Sequence, residues 1–151
     1  MTALATNRRI YVDSSVWIAL LAQESTANAL NQWLEQEPGT LMTAQWTRTE
    51  LASAMGIKAR RLELTQDHVH RLLHEFEKWV QGGVQLLSVD SQDFVDAAGW
   101  CAQVTSKLRG ADALHLAVAR RHQVTHVATL DHDMASNATR LGLNILENHD
   151  Q

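Results

Sequence analysis

Residues 108–119 read LRGADALHLAVA, and no other stretch says as much about how the chain folds. Apolar residues are so dense here that a helix built from them has little polar surface, which is typical of a helix inside a domain. Gly110 stands at the expected N-cap, and Asp112 falls in the first turn. A buried carboxylate is costly without a partner. Either a positive group meets Asp112, or the helix dipole and a capping position account for it.

The composition is that of an ordinary globular protein, and we expect a single domain over residues 1–151. The chain is 45% hydrophobic and 20% charged, and it is long enough to bury a core. One cysteine excludes a disulfide framework and fits a reducing cytoplasm. We find no secretory signal and no apolar run near the ~20 residues that span a bilayer. Residues 1–8 are expected to be a flexible N-terminal tail.

Short apolar strands alternate with helices along the chain. The predicted strands are residues 10–12, 41–43, 84–89, 126–130 and 143–146. Amphipathic segments such as 65–81 separate them and begin or end at typical capping residues. This alternation, with short connections, predicts an α/β fold in which helices cover both faces of a short parallel sheet.

Four acidic residues occupy related positions in this pattern. Asp13 and Asp131 each follow a predicted strand, whereas Glu50 and Asp112 lie in the first turns of predicted helices. Each has a purely structural explanation. Asp131 can cap the next helix and Asp13 can belong to a turn, while the stretch from Thr47 to Glu50 matches a capping box.

The combination of these acids predicts more than any one of them does. Ligands of open α/β sheets bind beyond the carboxyl ends of the strands, so the four carboxylates are expected in one crevice. Without compensation they would repel one another and raise each other's pKa values. A hard divalent cation removes that conflict, because Mg²⁺ and Mn²⁺ prefer carboxylate and water oxygens.

Four motifs, in this order, resemble those of PIN-domain proteins, and their spacing resembles VapC-type toxins of bacterial toxin–antitoxin pairs. The motifs are YVDSSV (11–16), TEL (49–51), GADALHLA (110–117) and ATLDHDM (128–134). The resemblance implies a PIN-like three-layer α/β/α sandwich. It also implies a Mg²⁺- or Mn²⁺-dependent endoribonuclease that hydrolyses RNA phosphodiester bonds through a metal-activated water. Its expected partners are a second copy, as a homodimer, and a small cognate antitoxin.

The resemblance assigns roles to individual residues. Asp13, Glu50, Asp112 and Asp131 become the catalytic, metal-binding quartet, with Asp13 and Asp112 as direct ligands and the other two as direct or water-mediated ligands. Outside them, Ser15 and Thr129 orient a carboxylate or bound water, and Asp133 is an outer acid. The N-terminal extension before the first strand departs from the family pattern and affects the partner or dimer surface rather than the chemistry.

The net charge of −4 argues against a broad nucleic-acid-binding surface. If four acids belong to the metal site, the other 13 balance the 13 lysines and arginines, and RNA contact becomes local. The candidate contacts flank the acidic helices: Lys58, Arg60, Arg61, Lys107 and Arg109. Such clusters are also common on solvated faces. His115 is either a core histidine or a residue behind the acids, and Trp33 or Trp79 is a candidate for a dimer or antitoxin groove.

Other families fit less well. A haloacid-dehalogenase-like phosphatase needs a second acid where this chain has Ser15, and a receiver domain needs paired acids and a late lysine that are missing. Two alternatives stay open. One is a PIN-like module that binds RNA or protein without cutting, although a binder has no reason to keep four repelling carboxylates. The other is a housekeeping PIN nuclease without an antitoxin.

Overall fold

A parallel sheet of five strands forms the centre of the computed structural model, which describes residues 7–146. The strands are β1 (Arg9–Val12), β2 (Thr40–Ala44), β3 (Gln85–Leu87), β4 (His126–Ala128) and β5 (Asn144–Ile145). Their order is β3-β2-β1-β4-β5, so β1 is the central strand. Tyr11 lies beside Met42 on one side and beside Val127 on the other. The predicted parallel sheet is confirmed.

Within the described part of the chain, seven α-helices connect the strands. They are α1 (Ser14–Leu21), α2 (Ala27–Gln36), α3 (Gln45–Arg60), α4 (Gln66–Gln81), α5 (Ser91–Cys101), α6 (Gly110–Arg121) and α7 (His132–Arg140). A short 3₁₀ turn, Val104–Ser106, lies between α5 and α6. Across residues 7–146, every helix is too short or too polar to cross a membrane.

The sheet separates two hydrophobic clusters because side chains alternate along each strand. Ile10 and Val12 of β1 pack into the cluster formed with α1–α4, whereas Tyr11 packs into the cluster formed with α5–α7. Helix α6 contributes a run of seven buried residues, 113–119. The layers are therefore helices, sheet and helices, which confirms the three-layer α/β/α sandwich and the buried helix predicted from residues 108–119.

Several element boundaries differ from those predicted. Strand β4 ends at Ala128 and not at Leu130, which places two residues between the strand and Asp131. Arg109 is the N-cap of α6, and Gly110 is its first residue. Helix α3 begins at Gln45, directly after Ala44, the last residue of β2.

Arg8 belongs to the predicted flexible tail, but it makes hydrogen bonds to the folded domain. Its guanidinium donates two hydrogen bonds to the Glu37 carboxylate at 2.8 and 2.9 Å. Its carbonyl oxygen accepts a hydrogen bond from the Thr40 amide at 2.8 Å, which continues the β1–β2 ladder. Residues 1–6 of the predicted tail lie outside the described residues.

Gly39 lies where the start of β2 passes close to the chain before β1. A Cβ at this position would lie 2.8 Å from the Arg8 carbonyl oxygen and 2.9 Å from Ile10 Cδ1. Backbone cannot yield as a flexible side chain can, so Gly39→Ala is expected to lower the free energy of unfolding by about 1–3 kcal/mol, measured by urea denaturation.

Gly99, in the exposed part of α5, is the matched control, since a Cβ there would meet nothing within 4 Å. Gly99→Ala is expected to raise the free energy of unfolding by about 0.5–1 kcal/mol, because alanine favours the helix. Equal effects of the two substitutions would contradict the close approach at Gly39.

Candidate active site at the carboxyl edge of the sheet

Three of the four acids reach one edge of the sheet because they follow parallel strands. Asp13 comes directly after β1 and is the N-cap of α1. Glu50 lies in the second turn of α3, which begins where β2 ends. Asp131 is the N-cap of α7, shortly after β4. The carboxyl ends of β1, β2 and β4 adjoin, so these acids share the edge at which α/β sheets bind ligands.

Asp112 arrives at the same edge by a different route. Helix α6 precedes β4 instead of following a strand, and only four residues join the end of α6 to the start of β4. The C-terminus of α6 therefore lies at the amino end of β4, and its N-terminus lies about 18 Å back along the helix, towards the carboxyl end. Asp112 is the third residue of this helix.

Asp13 is the centre of the hydrogen-bond network at this edge. Its side chain is buried, with 1% of the residue exposed. The hydroxyls of Ser15 and Thr129 each donate to its Oδ2 at 2.8 Å. The Ser14 hydroxyl lies 3.3 Å from its Oδ1. One carboxylate oxygen is thus strongly hydrogen-bonded, and the other has only a long contact.

Ser15 and Thr129 also fix the loop that follows β4. The Leu130 amide donates to the Ser15 hydroxyl at 3.1 Å, and the Asp131 amide donates to the Thr129 hydroxyl at 3.1 Å. The two hydroxyls therefore connect the Asp13 carboxylate to the backbone before α7.

The capping-box interpretation of Glu50 is wrong. Because α3 begins at Gln45, Ala44 is its N-cap, and Thr47 lies inside the first turn. The Thr47 hydroxyl instead pairs with the Thr43 hydroxyl at 2.7 Å. The Glu50 carboxylate turns inward, where Oε1 contacts His115 Nε2 and Oε2 lies 3.3 Å from the Ser14 hydroxyl.

Asp131 and Asp133 lie at the solvent side of the edge. Asp131 caps α7 as its position allows, since its Oδ1 accepts from the Met134 amide at 2.8 Å. Its Oδ2 is not used in that bond. Asp133 is exposed in the first turn of the same helix. The capping explanation of Asp131 is therefore correct, and the second carboxylate oxygen, Oδ2, remains available to a ligand.

Asp112 is the acid with the least compensation. Across residues 7–146, no hydrogen bond or ion pair reaches its carboxylate, which is only partly exposed. Its pKa is raised from 3.8 to about 6, chiefly by burial. The charges of Asp13, Asp131 and Glu50 contribute to this rise, and the charge of His115 opposes it. These electrostatic effects place all four acids in one neighbourhood.

His115 is the positive counterpart within this group of acids. It is completely buried in α6, one turn after Asp112, and its Nε2 lies 4.0 Å from Asp13 Oδ1. Burial alone would lower its pKa, but the hydrogen bond with Glu50 and the charges of Asp13, Glu50 and Asp112 raise it overall. Its Nδ1 contacts the Tyr11 hydroxyl. Burial, with the charge of Asp13, raises the pKa of Tyr11, so that hydroxyl stays protonated.

The donor set fits a hard divalent cation, although no closed cage is preformed. Within residues 7–146, no three His, Cys, Asp or Glu side chains are already arranged to hold a metal ion. Mg²⁺ usually keeps several waters and takes only one or two carboxylates from the protein. Oxygens of Asp13, Asp112 and Asp131 free of strong hydrogen bonds provide such ligands, and a cation would lower the electrostatic cost of Asp112.

The predicted RNA contacts divide into two groups. Lys58, Arg60 and Arg61 lie at the far end of α3, about 12 Å or more along the helix from Glu50. Lys58 is also paired with Glu63 at 3.4 Å. Lys107 and Arg109 are exposed beside the N-terminus of α6, close to Asp112. Of the two groups, only the second lies beside the acids.

A cavity of about 630 Å³ lies at the opposite edge of the sheet, away from the acids. Trp79 lines it together with Trp17, whose ring centroid is 5.3 Å away. Trp33 instead donates its indole hydrogen to Glu37 at 3.2 Å. Of the predicted pair, Trp79 is thus the one that lines this cavity.

Sequence reasoning missed Ser14 and Tyr11 and left His115 undecided. The alternation of side chains along a strand does predict that Tyr11 lies on the face of the sheet opposite Ile10 and Val12. That is the face that α6 covers. The contact between His115 and Glu50 joins residues 65 positions apart, and no local pattern indicates it.

Solved structures with a similar fold include a toxin and a toxin–antitoxin complex. VapC20 from Mycobacterium tuberculosis, a sarcin–ricin-loop-cleaving toxin, has a TM-score of 0.68 at 19% identity, covering 85% of this chain and 94% of its own. FitAcB from Neisseria gonorrhoeae has a TM-score of 0.67 at 17% identity, covering 94% and 99%. VapBC-1 from nontypeable Haemophilus influenzae has a TM-score of 0.62 at 14% identity, covering 92% and 98%. At these identities the likeness shows the fold.

No curated protein matches the chain by sequence. The family model of the PIN domain, however, matches residues 10–139, which include β1 from its second residue, all of β2, β3 and β4, and all four acids. The chain therefore belongs to the PIN-domain family.

Proposed function

We propose that the chain is a Mg²⁺- or Mn²⁺-dependent endoribonuclease that acts as the toxin of a toxin–antitoxin pair. The observation that carries the proposal is Asp112, a partly buried carboxylate without a hydrogen bond among the described residues, beside three further acids. Such a group is costly to keep unless a cation compensates it. Membership of the PIN family and the similar toxin structures support the same conclusion.

The residues divide the work according to their contacts. Asp13 Oδ1 and Asp112 would hold the cation directly, with Glu50 and Asp131 as direct or water-mediated ligands. A bound Mg²⁺ or Mn²⁺ supplies acidified water and offsets the charge of the phosphate. Ser15 and Thr129 keep Asp13 oriented through its other oxygen. Lys107 and Arg109, exposed beside the N-terminus of α6, are suited to contact phosphates of the RNA backbone.

The same support extends to partners. FitAcB, VapBC-1 and a Salmonella typhimurium VapBC bound to DNA are complexes of related folds. We therefore propose a small antitoxin as the partner of this chain, and a homodimer as its functional form. The Trp79 cavity is the groove that we assign to a protein partner, since tryptophans are favoured at interfaces and this cavity leaves the acids free.

Asp112→Asn is expected to reduce RNA cleavage at least about 100-fold, because a cation ligand supplies several kcal/mol of charge stabilisation. The assay uses labelled single-stranded and hairpin RNA with Mn²⁺ or Mg²⁺. Asp67→Asn is the matched control, since Asp67 is an exposed acid in the first turn of α4. Full activity of Asp112→Asn, or of the wild type in excess EDTA, would overturn the catalytic assignment.

The shifted pKa of Asp112 makes a separate prediction about stability. The folded protein keeps the Asp112 proton up to about pH 6, whereas the unfolded chain releases it near 3.8. The contribution of Asp112 to the stability of the metal-free protein therefore falls as pH rises through this window. Asp112→Asn in EDTA is expected to melt above the wild type at pH 8, with the difference vanishing below about pH 4.

Mn²⁺ provides the complementary arm of this melting experiment. It should raise the melting temperature of the wild type and of Asp67→Asn, but not that of Asp13→Asn/Asp112→Asn. An equal rise in all three proteins would show that the acids do not form the metal site.

The toxin role predicts that expression of the wild-type chain arrests bacterial growth and that Asp112→Asn does not. Co-expression of a short adjacent reading frame that encodes a DNA-binding protein should restore growth, and its product should copurify with the chain. Unimpaired growth, or the absence of such a frame, would favour a housekeeping nuclease over a toxin.

A further inference from the structure

His115 occupies a position that the metal ligands do not explain. It is fully buried, and each ring nitrogen contacts a different polar group. Nε2 contacts Glu50 Oε1, and Nδ1 contacts the Tyr11 hydroxyl. The Tyr11 ring meets the imidazole edge-on, with 5.7 Å between the ring centroids. Tyr11 is fully buried, so the imidazole is held on its Nδ1 side by a residue of the core.

The chemistry of these contacts determines where the hydrogen lies. A carboxylate only accepts hydrogen bonds, so Nε2 carries a hydrogen and donates it to Glu50. Tyr11 meets the other nitrogen, and its hydroxyl can act there as donor or acceptor. In either case Nε2 keeps its hydrogen. A hydrogen bond to a carboxylate is a usual way of fixing which ring nitrogen of a histidine carries a hydrogen.

The donation from His115 decides which oxygen of Glu50 remains free. Oε1 is taken by the imidazole, and Oε2 lies 3.3 Å from the Ser14 hydroxyl. The same hydroxyl lies 3.3 Å from Asp13 Oδ1. A single hydroxyl hydrogen cannot serve both oxygens at once. Asp13 Oδ1 and Glu50 Oε2 therefore share one hydroxyl at 3.3 Å, and at most one of them accepts its hydrogen.

We propose that His115, in contact with Tyr11, is a positioning residue that orients Glu50 so that Oε2, which shares the Ser14 hydroxyl with Asp13 Oδ1, faces the divalent cation. The inference rests on the proposed function, since it assumes a cation at this edge. It adds two residues of the core to the site and explains why a histidine stands in the buried, otherwise apolar run of α6, residues 113–119. Partners that hold a metal ligand from behind typically contribute about 10- to 100-fold in metal affinity.

A purely structural histidine would behave differently. If His115 only filled space, a leucine of similar size would leave metal binding unchanged while altering stability. If His115 acts through Glu50, its replacement should matter only while Glu50 carries a carboxylate. A double-mutant cycle separates these two cases.

The experiment measures Mn²⁺ affinity directly, by calorimetry and by the electron paramagnetic resonance of free Mn²⁺, without RNA. His115→Leu is expected to weaken Mn²⁺ binding about 10- to 100-fold, and Tyr11→Phe should weaken it less. His115→Gln, which restores a donor near the position of Nε2, should recover part of the loss. In the Glu50→Gln background, His115→Leu should have little further effect. His74→Gln, an exposed histidine on α4, is the control.

The outcomes are distinguishable. Wild-type protein that fails to bind Mn²⁺ overturns the metal site itself and the proposal with it. Wild-type binding together with unchanged affinity in His115→Leu overturns only the positioning role. An equal loss with and without the Glu50 carboxylate also overturns it, because His115 would then act through the fold. If His115→Leu does not fold, His115→Gln and Tyr11→Phe in the same two backgrounds decide the question.

Discussion

Asp13 is a carboxylate in the interior of the molecule, and a buried acid must be given hydrogen bonds, an opposite charge or a proton. It ends the central strand and is 1% exposed. Ser15 and Thr129 supply strong hydrogen bonds to one of its oxygens, and His115 lies 4.0 Å from the other. Because these partners come from α1, the loop after β4 and α6, the solution for one charge also fixes the arrangement of three elements.

The negative charge of these acids is only partly compensated, and the uncompensated charge indicates a function for this edge. A single buried imidazole stands among Asp13, Glu50 and Asp112, and the pKa of Asp112 still rises to about 6. A fold under selection for stability alone would replace Asp112 with an apolar residue, since the run of α6 that follows it, residues 113–119, is buried. The retained repulsion is understandable if a divalent cation occupies this edge while the protein works. Stability is then given up locally in exchange for a binding site.

Sequence reasoning predicted the architecture and the edge of the sheet but not the contacts within it. The buried helix at residues 108–119 and the acids after β1 and β4 follow local patterns, so they could be predicted. The predicted capping box at Thr47 is wrong because α3 begins two residues earlier, at Gln45, where β2 leads directly into the helix. The partner of Glu50 could not be predicted, since His115 reaches it only through the packing of α6 against β1 and α3. Arg8 was assigned to a tail because its partner, Glu37, lies 29 residues away.

The central claim is that the four acids form a divalent cation site at the carboxyl edge of the sheet. A crystal structure of the protein with Mn²⁺, recorded with anomalous data at the manganese absorption edge, tests it most directly. The account predicts an anomalous peak at ligand distance from Asp13 Oδ1 and from a carboxylate oxygen of Asp112, with water completing the coordination. An anomalous peak elsewhere on the molecule, or no peak at the carboxyl edge of the sheet at saturating Mn²⁺, would contradict it.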